Sequence, residues 1–145
     1  MTDKTALKLW LHLAKTSALL QNEITGRFRA HYGQSLARFD VLSQLARAET
    51  QTLSIRALSA SLIASSGNIT RLLDRMQAEG LLSRSPAPHD RRSTLVCLTS
   101  AGASLFEGMA KDHEIWVGEM LANMPQSTQQ ELLDGLLRLQ NNFVK

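Results

Sequence analysis

Leu7, Trp10, Leu11, Ala14, Ser17, Ala18, Gln21, Ile24 and Phe28 recur at steps of three and four, so they share one stripe of a single long helix. The stripe is apolar apart from Ser17 and Gln21, and Gly33 stops it. A helix of about 26 residues is about 39 Å long. One of that length must lie against something equally long, which implies a packing partner. The other end of the chain repeats the problem. Leu132, Leu133, Leu136, Leu137, Leu139, Gln140 and Phe143 make the last helix apolar on more than one face, too much for the rim of a monomer.

Between these ends the elements are short. Phe39, Leu42, Leu45 and Ala46 mark a second helix, and residues 50–54 break its pattern. Ser54 is placed to cap a third helix carrying Ile55, Leu58 and Leu62. Ser65 is the N-cap expected for a fourth, with its stripe at Ile69, Leu72, Leu73 and Met76 and a stop at Gly80. From residue 81 the texture turns to strand. Leu81 to Ser85 and Ser93 to Leu98 flank the loop Pro86-Ala87-Pro88-His89-Asp90, which predicts a two-stranded hairpin. Thr99 can cap a fifth helix with the stripe Leu105, Phe106, Met109, His113, Trp116, Val117, Met120 and Leu121. Pro125 ends that unit, and Ser127-Thr128-Gln129-Gln130 fits a capping box for the sixth helix. The expected fold is mainly α: four helices, two strands and two helices. This is a winged helix-turn-helix over residues 36–99, with dimerisation helices at 1–35 and 100–145 of one 145-residue chain.

The composition fits a globular chain, 43% hydrophobic and 20% charged, with no apolar run of the ~18–20 residues that span a bilayer. The N-terminus lacks a signal-peptide design, and a single cysteine, Cys97, excludes an intrachain disulfide framework. A reducing cytoplasm, with no membrane partner, is the expected location. Charge is uneven. Residues 1–64 carry eight basic and four acidic side chains, residues 65–98 five and three, and residues 99–145 three and six. All five bases of the middle section are arginine. A basic front points to an anionic partner, although a solvated surface gives the same imbalance.

The fourth helix turns its apolar positions inward and presents Ser65, Ser66, Asn68, Thr70, Arg71 and Arg75 on the other side. Asparagine can bond adenine bidentately, arginine guanine, and a threonine methyl can touch thymine, so this face suits a major groove. An ordinary surface helix would show lysine and glutamate, which this stretch largely lacks. Arg91 and Arg92 at the hairpin tip can reach phosphates or a minor groove. Asp90 cannot favour DNA directly; its expected role is to accept bonds from Arg92 or loop amides and hold the wing's shape.

In this order and spacing the chain resembles the MarR family of bacterial transcription regulators, over essentially its whole length. The resemblance rests on Leu58-Ser59, Asn68 through Met76, Glu79 through Arg84, Asp90-Arg91-Arg92 and Val96 through Gly102. It implies a two-fold homodimer joined through its first and last helices, and a recognition helix in each major groove of a pseudo-palindromic double-stranded operator. It also implies a small-molecule effector that weakens DNA binding. Leu9-Trp10-Leu11, Arg38 through Leu42, Ser65 through Thr70 and Met109 through Val117 resemble more narrowly a subgroup controlling hydroxycinnamate catabolism, which implies an aromatic carboxylate or an aromatic acyl-CoA such as hydroxycinnamoyl-CoA. In this architecture Trp10, Phe28, Arg38, Phe39, His113 and Trp116 are the expected effector residues. Aromatic side chains at helical spacing are also ordinary core, and His113 within an apolar stripe fits a satisfied core histidine.

Other classes lack their chemistry. His12, His31, His89 and His113 are scattered and make no metalloprotease or Cys-His pattern, and there is no GxSxG and no phosphate-cradling glycine loop, so no enzyme and no cofactor is expected. A metal-sensing or effector-independent regulator of the same fold remains an alternative, and a helical dimer scaffold that binds no DNA is a remote one. Cys97 alternates with Val96 and Leu98 in a strand, where a packed thiol is expected rather than a peroxide sensor.

Overall fold

The computed structural model describes residues 3–63 and 68–144. The first helix, α1 (Thr5–Tyr32), has 28 residues. It ends as expected at Gly33, whose φ of 63° is left-handed and lets its N–H bond the carbonyl of Arg29. Helix α2 (Leu36–Arg47) starts at Ser35, whose hydroxyl accepts the amide of Arg38 at 3.1 Å. Then come β1 (Thr52–Ser54), α3 (Ile55–Ser61), α4 (Ile69–Ala78), β2 (Leu82–Ala87), β3 (Asp90–Leu98), α5 (Ser100–Met120) and α6 (Gln126–Asn141). The chain is mainly helical with a small antiparallel sheet, in the strand order β1-β3-β2. It divides into two compact units, Met1–Ala110 and Lys111–Lys145.

In the first unit α2, α3, α4 and the sheet share a core of Val41, Leu42, Leu45, Leu58, Leu73, Met76, Leu82 and Val96, all buried from solvent. Each such side chain contributes about 1.5–3 kcal/mol by leaving water. Phe28 is equally buried. Its ring lies 4.7 Å from that of Phe39, which stacks at 5.6 Å on Phe106, so aromatic packing ties α1, α2 and the start of α5 together.

Three local expectations need correction. Strand β1 falls where the sequence showed only a broken helical pattern, and it pairs Thr52 with Cys97 and Ser54 with Leu95. Three residues are too few to show an alternation, and Thr50 and Gln51 before them take left-handed backbone that no composition rule signals. The N-cap of α4 is Asn68 rather than Ser65: the Asn68 side chain accepts the amide of Arg71 at 3.3 Å and the helix begins at Ile69. In the second unit α6 begins at Gln126 with Pro125 as its cap, so Ser127 lies inside the helix and makes no capping box. The Gln129 amide instead donates to the carbonyls of Leu121 and Met124, at 3.0 and 2.9 Å, the first of which also accepts the amide of Met124.

The cap of α3 is as expected, the Ser54 hydroxyl accepting the amide of Ala57 at 3.1 Å. Thr99 also caps as expected. Its Oγ1 accepts the amide of Gly102 at 3.0 Å and donates to the carbonyl of Gly80 at 2.6 Å. Gly80 has a φ of 77°, closing α4 in the left-handed conformation. Among the described residues no helix is long and apolar enough to cross a membrane.

Candidate nucleic-acid interface

Helix α4 buries Leu73 and Met76, with Ile69 and Leu72 half-buried beside them, and leaves Asn68, Thr70, Arg71 and Arg75 exposed. The sequence-predicted reading face is therefore on the surface, as a 3.6-residue period requires. Ser65 and Ser66 lie outside the described residues. Asn68 has two uses: its carbonyl oxygen caps the helix while its amide N–H groups remain available to a ligand.

The two acids of this helical stretch are held by arginines from the fold itself. Arg84 on β2 reaches Asp74 at 2.6 Å through Nη2 and donates Nε–H to Gln77 at 2.7 Å. Arg38 on α2 donates through both Nη atoms to the two oxygens of Glu79, Nη1 to Oε1 at 2.9 Å, and through Nη1 to Gln34 at 3.1 Å. Hydrogen bonding to Arg38 is the largest cause holding the Glu79 carboxyl below its ordinary value, against partial burial that raises it; the attraction of Arg38 and Arg75 adds to the lowering. The same bond raises the Arg38 guanidinium. Both partners stay charged at neutral pH. With Asp74 and Glu79 so engaged, Arg71 and Arg75 give the outer face of α4 its positive charge.

Other polar contacts join elements of the first unit. The buried carboxylate of Asp40 accepts the amide of Ile63 at 2.7 Å, pinning the chain just past the end of α3 to α2. Arg84 does the same between α4 and the wing. Sequence reasoning gave neither Asp40 nor Arg84 a function of its own. Both stood within quoted motifs, but their partners are 23 and 10 positions away and no local spacing announces them.

The wing extends further than its sequence suggested. Strands β2 and β3 continue through Ala87 and Asp90, with a register shift between Pro86 and Ala87, so Arg91 and Arg92 stand at the outer end of β3 rather than on the loop. Both are exposed. The Asp90 carboxylate accepts the amide of Arg92 at 3.0 Å, a bond that fixes the turn from which the two arginines leave. Cys97 is half-buried in the central strand.

The six residues expected to receive an effector stand in different surroundings. Phe28 and Phe39 belong to the closed aromatic cluster, Arg38 is engaged by Glu79, and Trp10 is 63% exposed on α1. In the second unit Trp116 is buried. His113 is half-buried, and its burial pushes the imidazole pKa down, so the ring is neutral at pH 7. Among the described residues no three of His, Cys, Asp and Glu converge as metal ligands.

Residues 32–93, which hold α2 to α4 and most of the wing, match the family model described as MarR family. The HTH-type transcriptional regulator YdgJ of Bacillus subtilis is 34% identical over 123 residues, covering 84% of this chain and 74% of that protein. Among solved structures, the MarR-family regulator Sco3205 of Streptomyces coelicolor, determined in complex with DNA, superposes with a TM-score of 0.82 at 18% identity over 96% of this chain and 87% of that one. The organohalide-sensing regulator RdhR-CbdbA1625, solved with 2,4-dichlorophenol bound, gives 0.83 at 15% identity over 98% and 83%. Identity that low carries the fold, while the YdgJ match and the family model carry the kinship. The helix-turn-helix, the wing and these relatives agree: the chain belongs to the MarR family, and is a winged helix-turn-helix, DNA-binding transcriptional regulator rather than an enzyme.

Proposed function

We infer that this regulator is a repressor that binds a pseudo-palindromic operator as a homodimer and is released by an aromatic carboxylate or an aromatic acyl-CoA, with hydroxycinnamoyl-CoA the form named by the narrower resemblance. The observation that carries the DNA reading is the outer face of α4, where Arg71 and Arg75 stand exposed while Asp74 and Glu79 are bound by arginines of the fold. In this reading α4 lies in the major groove, and Ser65, Ser66, Asn68, Thr70, Arg71 and Arg75 meet base edges and phosphates. Arg91 and Arg92 reach the neighbouring minor groove or its phosphates. Replacing both wing arginines with alanine lowers affinity for every DNA sequence alike. It also flattens the salt dependence, the slope falling by about 0.9 for each phosphate the variant no longer neutralises. Fluorescence anisotropy on operator and random duplexes at several salt concentrations measures this. Unchanged affinity and slope would remove the wing from the interface.

Dimerisation through residues 1–35 and 100–145 is supported by the apolar side chains these segments leave in solvent. Leu7, Leu9, Trp10, Leu11 and Leu19 are exposed on α1, and Leu132, Leu133 and Leu137 on α6. Sedimentation at micromolar concentration gives a dimer, and a monomer there refutes the assembly. Two half-sites then lie about 34–36 Å apart.

An effector acts by binding the DNA-incompetent arrangement better than the competent one. A 10–100-fold loss of operator affinity requires a coupling of only ~1.4–2.7 kcal/mol. Support for an aromatic ligand comes from the dichlorophenol bound by one neighbour of the same fold. Arg38 is the residue proposed to receive an acid group; Trp10, Phe28 and Phe39 offer aromatic surface in the first unit, and Trp116 does so in the second, where the neutral His113 can bond a phenol or carbonyl. Hydroxycinnamoyl-CoA lowers operator affinity in a gel shift, and His113→Ala weakens that response. A thioester that binds in calorimetry but leaves operator affinity unmoved overturns the effector. Activation is a second reading, favoured by the name of the transcriptional activatory protein BadR of Rhodopseudomonas palustris, 28% identical over 95% of this chain and 79% of that protein. Transcription in vitro from the bound promoter separates the two.

A further inference from the structure

Thr99 joins the turn that closes α4 to the first turn of α5. Its backbone N–H donates to the carbonyl of Leu81 at 3.2 Å. Its Oγ1 donates to the carbonyl of Gly80 at 2.6 Å and accepts the amide of Gly102 at 3.0 Å. Gly80 and Leu81 are themselves fixed to α4, since their amides donate to the carbonyls of Gln77 and Met76 at 2.9 and 3.0 Å. A single hydrogen bond between two segments leaves a pivot, because a carbonyl oxygen accepts over a broad range of directions. The Leu81 bond is such a pivot, continuing the ladder in which Leu82 faces Leu98. The hydroxyl bond lands one residue earlier, off that line, and takes away the remaining turn. Helix capping alone does not call for it. Aspartate caps at least as well as threonine, but a carboxylate only accepts, whereas the Thr99 hydroxyl caps α5 and donates to Gly80 at once.

We propose that Thr99 is a positioning residue for DNA recognition: its hydroxyl locks the angle between α4 and α5, and that angle sets the half-site spacing the dimer accepts. This role rests on the readings that α4 enters the major groove and that residues 100–145 dimerise. Helix α5 has 21 residues, and so a length of about 31 Å. A turn of about 5° at its first residue carries its far end through roughly 3 Å, close to the ~3.4 Å rise of one base pair. A pivot tolerates that turn and a locked pair of bonds does not. Thr99 touches no base or phosphate in this role. It acts on the distance between two heads and leaves the binding of each head intact.

A duplex selected by the wild type from a random pool supplies the operator for the test. Fluorescence anisotropy is read on it, on the same duplex with one base pair inserted between the half-sites, and on a single half-site. The insertion weakens wild-type binding by roughly tenfold or more. In Thr99→Asp, which keeps the cap but cannot donate to Gly80, that loss falls below about threefold while affinity for the single half-site is unchanged. Thr99→Ser keeps both side-chain bonds and the full wild-type loss, a rescue that tracks the hydroxyl rather than the methyl. Thr99→Val, of the same shape and without either side-chain bond, shows the same flattened preference and serves where the aspartate variant fails to fold. Urea denaturation accompanies each variant. A variant that is less stable, yet folded and still as sensitive to the insertion as the wild type, overturns the proposal, because that is what a merely structural Thr99 gives. A wild type indifferent to the insertion refutes the two-headed reading, and the proposal with it. A wild-type preference that Thr99→Asp and Thr99→Val both retain refutes the proposal alone.

Discussion

Gly102→Ala lowers the free energy of unfolding by about 3 kcal/mol, at the upper end of what an inserted methyl group costs in a packed interior. A Cβ at Gly102 would stand 2.0 Å from the carbonyl oxygen of Leu81 and 2.8 Å from Cδ1 of Leu98. The leucine methyl can swing aside; the carbonyl cannot. Leu81 is fixed on both sides, its amide donating to the carbonyl of Met76 and its carbonyl accepting the amide of Thr99 at 3.2 Å. Moving it breaks the closure of α4 and the entrance of α5 together. The wing begins one residue later, so DNA affinity falls with stability. Gly26 supplies the opposite sign. Nothing lies within 4 Å of a Cβ there, and alanine in a helix interior gains up to about 1 kcal/mol over glycine. Urea denaturation of both variants reads the difference, and an unshifted midpoint for Gly102→Ala would mean that the start of α5 slides freely over Leu81.

The fold was legible wherever a period or a stop residue ran long enough to be counted. The stripe of α1, the stop at Gly33, the caps Ser54 and Thr99, the turn at Gly80 and the wing all follow from local patterns of apolar, hydroxyl and glycine residues. What stayed hidden depends on partners distant in sequence. Strand β1 exists because Thr52 to Ser54 find a free edge on β3 some forty residues later, and three residues carry no alternation of their own. Asn68 rather than Ser65 opens α4, since both are good caps and composition does not choose between them. The same holds for the candidate site. The exposed arginines of α4 were readable from their spacing, but the pairs that free them were not. Arg38 was singled out as a receptor for an anion, and Glu79, 41 positions on, occupies it. The closed ring cluster of Phe28, Phe39 and Phe106 shows why an aromatic at helical spacing is ambiguous, because the same periodicity serves a wall and a core.

Arg71→Ala costs about 1–3 kcal/mol of operator binding, a loss of roughly 5- to 150-fold, and relaxes base preference at one position in each half-site. Its effect on folding is small, because Arg71 is exposed and bonds no described side chain. Asn68 is harder to dissect, since its side chain caps the helix and, in the proposed reading, also offers its amide to DNA. Asn68→Ala removes both and costs about 1 kcal/mol of stability on top of the binding loss. Asn68→Ser separates them: serine caps nearly as well but has no amide to bond adenine bidentately. The expected outcome is a serine variant with near-wild-type melting, wild-type affinity for random duplex and reduced discrimination at a single base pair. Selection from a randomised half-site, read for each variant, decides it. If Asn68→Ser keeps the full preference while Asn68→Ala loses it, Asn68 acts only as a cap, and base recognition by α4 rests on its arginines and Thr70.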